Sequence, residues 1–144
     1  MIYVAGPYET GHLLDNVSFA VAVGESVRRA GFVPLVPHLS ISWALAFPGI
    51  PRDEWMRMCL VWVSKSDMVL RLPGFSPGAD AEVAEALRLG IPCIEVMNED
   101  MRLWEFHKLS EYISQVLVDG IGAINLFAEF RKENPESGPK GRVQ

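Results

Sequence analysis

Four short apolar runs set the frame of this chain: IYVA (2–5), FVPLV (32–36), MVLRL (68–72) and IPCIEV (91–96). Between them lie segments whose apolar residues recur at helical spacing, as at Val17, Ala20, Val21, Gly24 and Val27. Strand alternating with helix predicts a parallel sheet covered by helices on both faces, because parallel neighbours need a crossover and the crossover must pack. The expected class is α/β, a flavodoxin-like (Rossmann-type) sheet with strand order 2-1-3-4. A fifth strand has one candidate, VLVDG near Val116. Asp15 or Asn16 is placed to cap the first helix, which runs to about Ala30 and stops at Gly31. A long aromatic loop, PHLSISWALAFPGI, follows the second run, and Pro51 opens a helix through Trp55, Leu60 and Val63. Two more helices are expected over about 101–118 and 121–131. A single domain over 1–132 would then precede a polar tail, 133–144.

Composition narrows the function. Hydrophobic residues make up 49% of the 144, enough for a real core. Charge or proline interrupts the apolar runs before they reach the length of a membrane span. The net charge of −5 argues against a nucleic-acid partner, which calls for a basic surface. Cys59 and Cys93 fit no metal spacing and suggest a reducing compartment, and MIYVAGP lacks the basic start of a signal peptide. The expectation is a soluble cytoplasmic protein without metal or cofactor, free of membrane and nucleic acid, that acts on a small molecule.

Sheets of this type bind ligands beyond the carboxyl ends of the strands, where the winding direction reverses. Here that crevice lies between the first and third strands, and the segments leaving them are GPYETG and PGFSPGAD. The candidates are therefore Gly6, Pro7 and Tyr8 on one side and Ser76, Gly78, Ala79 and Asp80 on the other. Ser76-Pro77 is a strong helix start. Glu82 follows in the second turn, with Gly78, Ala79 and Ala86 among its helical neighbours, whereas Glu85 can reach Arg88 on a solvated face. Small residues around Glu82 leave an opening for a ligand. A carboxylate there can act as nucleophile, base or sugar-hydroxyl acceptor, and an ordinary surface glutamate is the competing reading.

Other residues carry two readings each. Tyr8 can stack on a base or pack in its loop. Arg71, late in the third strand, can reach a phosphate or pair with Asp67 or Glu95. His38 follows the second strand and is a substrate-binding candidate or a structural histidine. Trp43 and Phe47 cover either the base or the core. Asn16 reads as a helix cap, Asp67 as a strand-opening structural residue and Cys59 as a buried helical thiol. The apolar helical region from Trp104 to Phe130 is long enough to supply a dimer face.

IYVAGP, then PH, then SDMVLRLPGFSPGADAEVAEALRLGIPC resembles the nucleoside 2-deoxyribosyltransferase superfamily over about 2–96. Within it, the chain is most similar to the branch holding the 2'-deoxynucleoside 5'-phosphate N-hydrolases, the CMP N-glycosidases and many uncharacterised phage and bacterial relatives. The resemblance implies that Glu82, in GADAE, is the nucleophile that attacks C1' of a (deoxy)ribonucleotide. It implies that Ser76, six residues earlier, binds the 5'-phosphate. A glycosyl-enzyme would form and water would release the sugar phosphate, as in retaining glycosidases. It also implies a homodimer or higher homo-oligomer. Two positions depart from the pattern. Glu9 stands where the phosphate hydrolases carry an arginine, which favours an unphosphorylated substrate and hence a deoxyribosyltransferase. Cys59 stands where many members carry an aspartate, which favours a non-catalytic nucleotide or nucleotide-sugar binding protein. Asp53 and Asp80 are the nearby carboxylates that could substitute for it, although neither matches the motif.

Overall fold

The computed structural model describes residues 1–133. The tail expected over 133–144 lies, past its first residue, outside the described residues. Strands β1 (Ile2–Ala5), β2 (Pro34–Leu35), β3 (Met68–Arg71) and β4 (Cys93–Glu95) form one parallel sheet in the order β2-β1-β3-β4. Ile2 pairs with Pro34 and Met68, Tyr3 with Val69, and Leu70 with Ile94. The expected flavodoxin-like α/β topology is the one observed.

Because successive strand residues point to opposite faces, each strand contributes to two cores. Ile2, Val4, Met68 and Leu70 face helix α1 (Leu13–Arg29) and helix α5 (Phe106–Glu133), where they meet Phe19, Val23, Val27, Leu109, Ile113 and Leu117. Tyr3, Ala5 and Val69 face helices α3 (Arg52–Ser64) and α4 (Pro77–Arg88), where they meet Val63, Ala79 and Ala86. In the second core α4 meets the sheet through Ala79 and Ala86, whose small side chains let it lie close. Arg71 is in register with Ala5 and shares this face.

Several boundaries differ from expectation. Helix α1 starts earlier, with His12 at its N-cap and no side-chain cap bond. Asn16 is buried within it and uses its side chain elsewhere, so it is not the cap. The aromatic loop after β2 is partly ordered, as a 3-10 turn at Pro37–Ser40 and helix α2 at Ile41–Ala46. VLVDG is not a strand. It continues the helical stripe of Ile113 and Leu117.

The two expected C-terminal helices are one, α5, preceded by a 3-10 turn at Glu99–Leu103. Gly120 sits in the middle of α5. A glycine costs a helix about 1 kcal/mol relative to alanine, but a Cβ here would lie 2.2 Å from Ile94 Cδ1. Close approach of helix to sheet explains the residue. The apolar stripe of α5 down to Ile124 packs on the sheet and α1. Among the described residues, no helix is long and apolar enough to cross a membrane.

Helix α5 is thus part of the core. Ile113 is fully buried, and Ile113→Ala should lower unfolding free energy by about 2–5 kcal/mol in urea titration. A loss under about 0.5 kcal/mol would mean that α5 is not docked as described.

Candidate active site

A cleft of about 330 Å³ opens at the carboxyl end of the sheet. Its size falls within the roughly 300–1,000 Å³ typical of small-molecule sites. Four parts of the chain line it. The segment after β1 gives Gly6, Tyr8, Glu9 and Thr10. The segment after β2 gives Pro37, His38, Ser40, Ala44, Phe47, Pro48 and Ile50. Helix α3 gives Arg52, Trp55, Met56 and Cys59, spaced so that one helical face turns to the cleft. The start of α4 gives Ser76, Pro77, Gly78, Ala79 and Glu82.

Glu82 forms the floor. It falls on the same stripe of α4 as Ala79 and Ala86, so it is turned toward the sheet and is only 7% exposed. Tyr3, wholly buried on β1, donates its hydroxyl to Glu82 Oε1 at 2.8 Å. Burial pushes the Glu82 carboxyl up to about 7; Tyr3, the Cys59 thiol and the charge of Arg71 pull it back only in part. The Tyr3 phenol is raised by burial and by Glu82, so it remains a donor. Burial and Glu82 also push the Cys59 thiol up to about 11. Glu85, three residues on, is bound by Arg88 at 2.7 Å on the outer face. Two glutamates of one helix therefore occupy opposite environments. One is solvated and paired, and the other is desolvated at the base of a cleft and titrates near neutrality.

The rim is held by side chains. Asn16 donates to the carbonyls of Tyr8 (3.0 Å) and Thr10 (2.8 Å), and its own carbonyl accepts from Arg102 (3.0 Å). Gly74 has φ +110°, a conformation that favours glycine, and a Cβ there would meet Pro7 Cγ at 3.0 Å. His38 donates Nε2–H to the Pro7 carbonyl at 2.9 Å, its basicity lowered by burial, and its Nδ1 has no hydrogen-bond partner among the described residues. Tyr8 packs edge-on to the His38 ring, with centroids 5.8 Å apart.

Seven of the ten residues singled out in the sequence meet at the cleft: Gly6, Tyr8, His38, Ser76, Gly78, Ala79 and Glu82. Ser76 caps α4, accepting the Ala79 N–H at 3.2 Å. Pro7, Arg71 and Asp80 do not line it. Pro7 is buried and accepts from His38 through its carbonyl. Arg71 is not available to a phosphate in the cleft, nor does it pair with Asp67 or Glu95. Its guanidinium binds Asp80 at 2.8 Å and the carbonyls of Leu72 and Gly74, and so knits the loop that leads into α4. With Asp80 so engaged and Asp53 exposed outside the lining, neither carboxylate takes the place of the one absent at Cys59. Asp67 takes the Met1 amino group at the far end of the sheet. Phe47 lines the cleft, while Trp43 stands behind, edge-on to Trp55 at 5.1 Å.

Tyr3, Arg52, Trp55 and Met56 were not singled out for the site. A signal for Tyr3 exists, because a phenol in a strand buried on both faces must find a partner. Among the described residues no group of three or more His, Cys, Asp and Glu is placed to hold a metal, and both cysteines are free.

Residues 1–95 match a family described as a domain of unknown function, DUF4406. The chain belongs to that family. The match spans β1 to β4 and so includes every residue that lines the cleft. No curated protein and no solved structure matches the chain.

A carboxyl whose value rises from 4.5 to about 7 on folding binds its proton more tightly in the folded chain. Its contribution to stability is present below about 4.5 and is lost as pH rises through about 7. Glu82→Gln keeps an acceptor for Tyr3 and removes the buried charge. Relative to the native chain, this variant should melt nearly unchanged at about pH 5 and roughly 5 °C higher at about pH 8. Equal shifts at both pH values would mean that Glu82 is not buried as described.

Proposed function

We propose that the protein is an N-glycosyl hydrolase that cleaves the base–sugar bond of a (deoxy)ribonucleoside 5'-monophosphate, with Glu82 as nucleophile. The observation that carries this reading is the desolvated Glu82 carboxylate, held by Tyr3 at the floor of a small-molecule cleft. Desolvation makes the carboxylate a better nucleophile once ionised, and the Tyr3 hydroxyl fixes its orientation. A developing oxocarbenium ion above it would be stabilised by the same negative charge. The resemblance to the nucleoside 2-deoxyribosyltransferase superfamily supports the assignment, because its nucleophile falls on Glu82. The Gly78 amide and the Ser76 hydroxyl at the start of α4 suit an anion such as the 5'-phosphate. Tyr8, Phe47 and Trp55 offer aromatic surface to a base. The reading requires no cofactor and includes a homo-oligomer.

One observation favours a transferase instead. Glu9 lies on the cleft rim, within 3.8 Å of Arg52, and its charge disfavours a phosphate. A deoxyribosyltransferase would pass the sugar to a second base.

The test is base release, by chromatography, from ribo- and deoxynucleosides and their 5'-monophosphates. Glu82→Ala should reduce release by at least about 1,000-fold, leaving the circular dichroism spectrum unchanged. A new nucleoside formed on adding a free base would select the transferase. Ligand-induced stabilisation without turnover in the native chain would replace both with a binding protein.

A further inference from the structure

Cleavage of a neutral base from a sugar places negative charge on the departing nitrogen, so an acid that protonates it speeds departure. The titratable side chains lining the cleft are Tyr8, Glu9, His38, Arg52, Cys59 and Glu82. If Glu82 is the nucleophile, the other five must supply that proton. Arg52 does not release one. Burial lowers the basicity of His38, and its Nε2–H is donated to the Pro7 carbonyl. The Tyr8 phenol, raised by burial, and the Cys59 thiol, pushed up to about 11, keep their protons and are only weak acids at neutral pH. Glu9 is an exposed rim carboxylate facing the Arg52 guanidinium at 3.8 Å. Tyr3 is fully buried and already donates to Glu82. Asp53 and Asp80 stand outside the lining. Among the described residues, the cleft presents a nucleophile and no acid poised near neutral pH besides Glu82 itself, so a base that departs without a proton suits it best.

The same walls suit a different kind of base. Tyr8, Phe47, Trp55 and Met56 give aromatic and thioether surface, and the carboxylates of Glu9 and Glu82 outnumber the one guanidinium, Arg52, which Glu9 faces. Flat cations bind to aromatic faces flanked by carboxylates. We propose that the substrate is a nucleoside or nucleotide whose base is a cation, a pyridinium or an N7-alkylated purine, so that it leaves as a neutral molecule without being protonated. This inference rests on the N-glycosidase reading.

The step balances without an acid. A Glu82 oxygen bonds to C1' as the bond from C1' to the ring nitrogen breaks. The bonding pair returns to the base and cancels its positive charge. Water then attacks C1', the C1'–O bond to Glu82 breaks, the carboxylate is restored and one proton passes to solvent. Before the reaction, the bound cation favours the ionised form of Glu82, offsetting its desolvation.

The native chain and Glu82→Gln are each incubated with two matched pairs. One pair is nicotinamide riboside and its neutral dihydro form, and the other is 7-methylguanosine and guanosine, each as nucleoside and 5'-monophosphate. Base release is followed by chromatography, with release by Glu82→Gln subtracted. The cationic member of at least one pair should be cleaved at least about 100-fold faster than its neutral partner, the scale on which a general acid contributes. Glu82-dependent release from the neutral members at equal or greater rate overturns this inference and leaves the N-glycosidase reading standing. No Glu82-dependent release from these substrates or from the ordinary nucleosides and nucleotides overturns both.

Discussion

The hydrogen bond from Tyr3 to Glu82 joins the first strand to the fourth helix and places the one desolvated carboxylate of the cleft. Neither group is stable there alone. A buried phenol needs a partner, and a carboxylate stripped of water needs a donor or a proton. Each supplies what the other lacks, and the sharing works only because α4 lies close to the sheet on Ala79 and Ala86. A larger residue at either position would move the helix outward and separate the pair. The small-residue packing of this face is therefore part of the site as well as of the core.

Around that bond, the rim is fixed by long-range side-chain contacts. Asn16 on α1 holds the backbone after β1, Arg102 braces Asn16, and Arg71 on β3 gathers the loop leading to α4. Arg102 also stacks over Phe19 at 4.6 Å. Each of these groups is tied to a packed helix, strand or turn, so loops without regular hydrogen bonding inherit the rigidity of the sheet. Arg102 lies beyond the part of the chain that matches the family, as does α5, whose stripe closes the other core.

Much of this was legible in the residues. The alternation of apolar runs and helical spacing led to the strand order, because parallel strands leave few ways to cover both faces. The contrast between Glu82 and Glu85 was legible from their neighbours, since alanine on one side and Arg88 on the other separate the buried stripe from the wet one. Tyr3 was missed because IYVA reads as uniformly apolar, and only the pairing with Val69 shows which face its hydroxyl takes. The α3 face with Arg52, Trp55 and Met56 was missed because an amphipathic helix does not reveal whether it turns to a core or a cleft. The partner of Arg71 was not legible, because Asp80, in the first turn of α4, is brought to it by a loop whose geometry depends on Gly74. The break expected near Gly120 followed helix propensity, which the packing against Ile94 overrides.

Glu82, desolvated at the floor of the cleft, is poised near neutrality by its surroundings. Carboxyl-carbon NMR of glutamate-labelled protein, with Glu82 assigned through Glu82→Gln, reads this without a substrate. Glu82 should show a midpoint of about 7, moving higher in Tyr3→Phe, where the donor is lost. A midpoint near 4.5, unchanged by Tyr3→Phe, would mean that Glu82 is neither desolvated nor held by Tyr3.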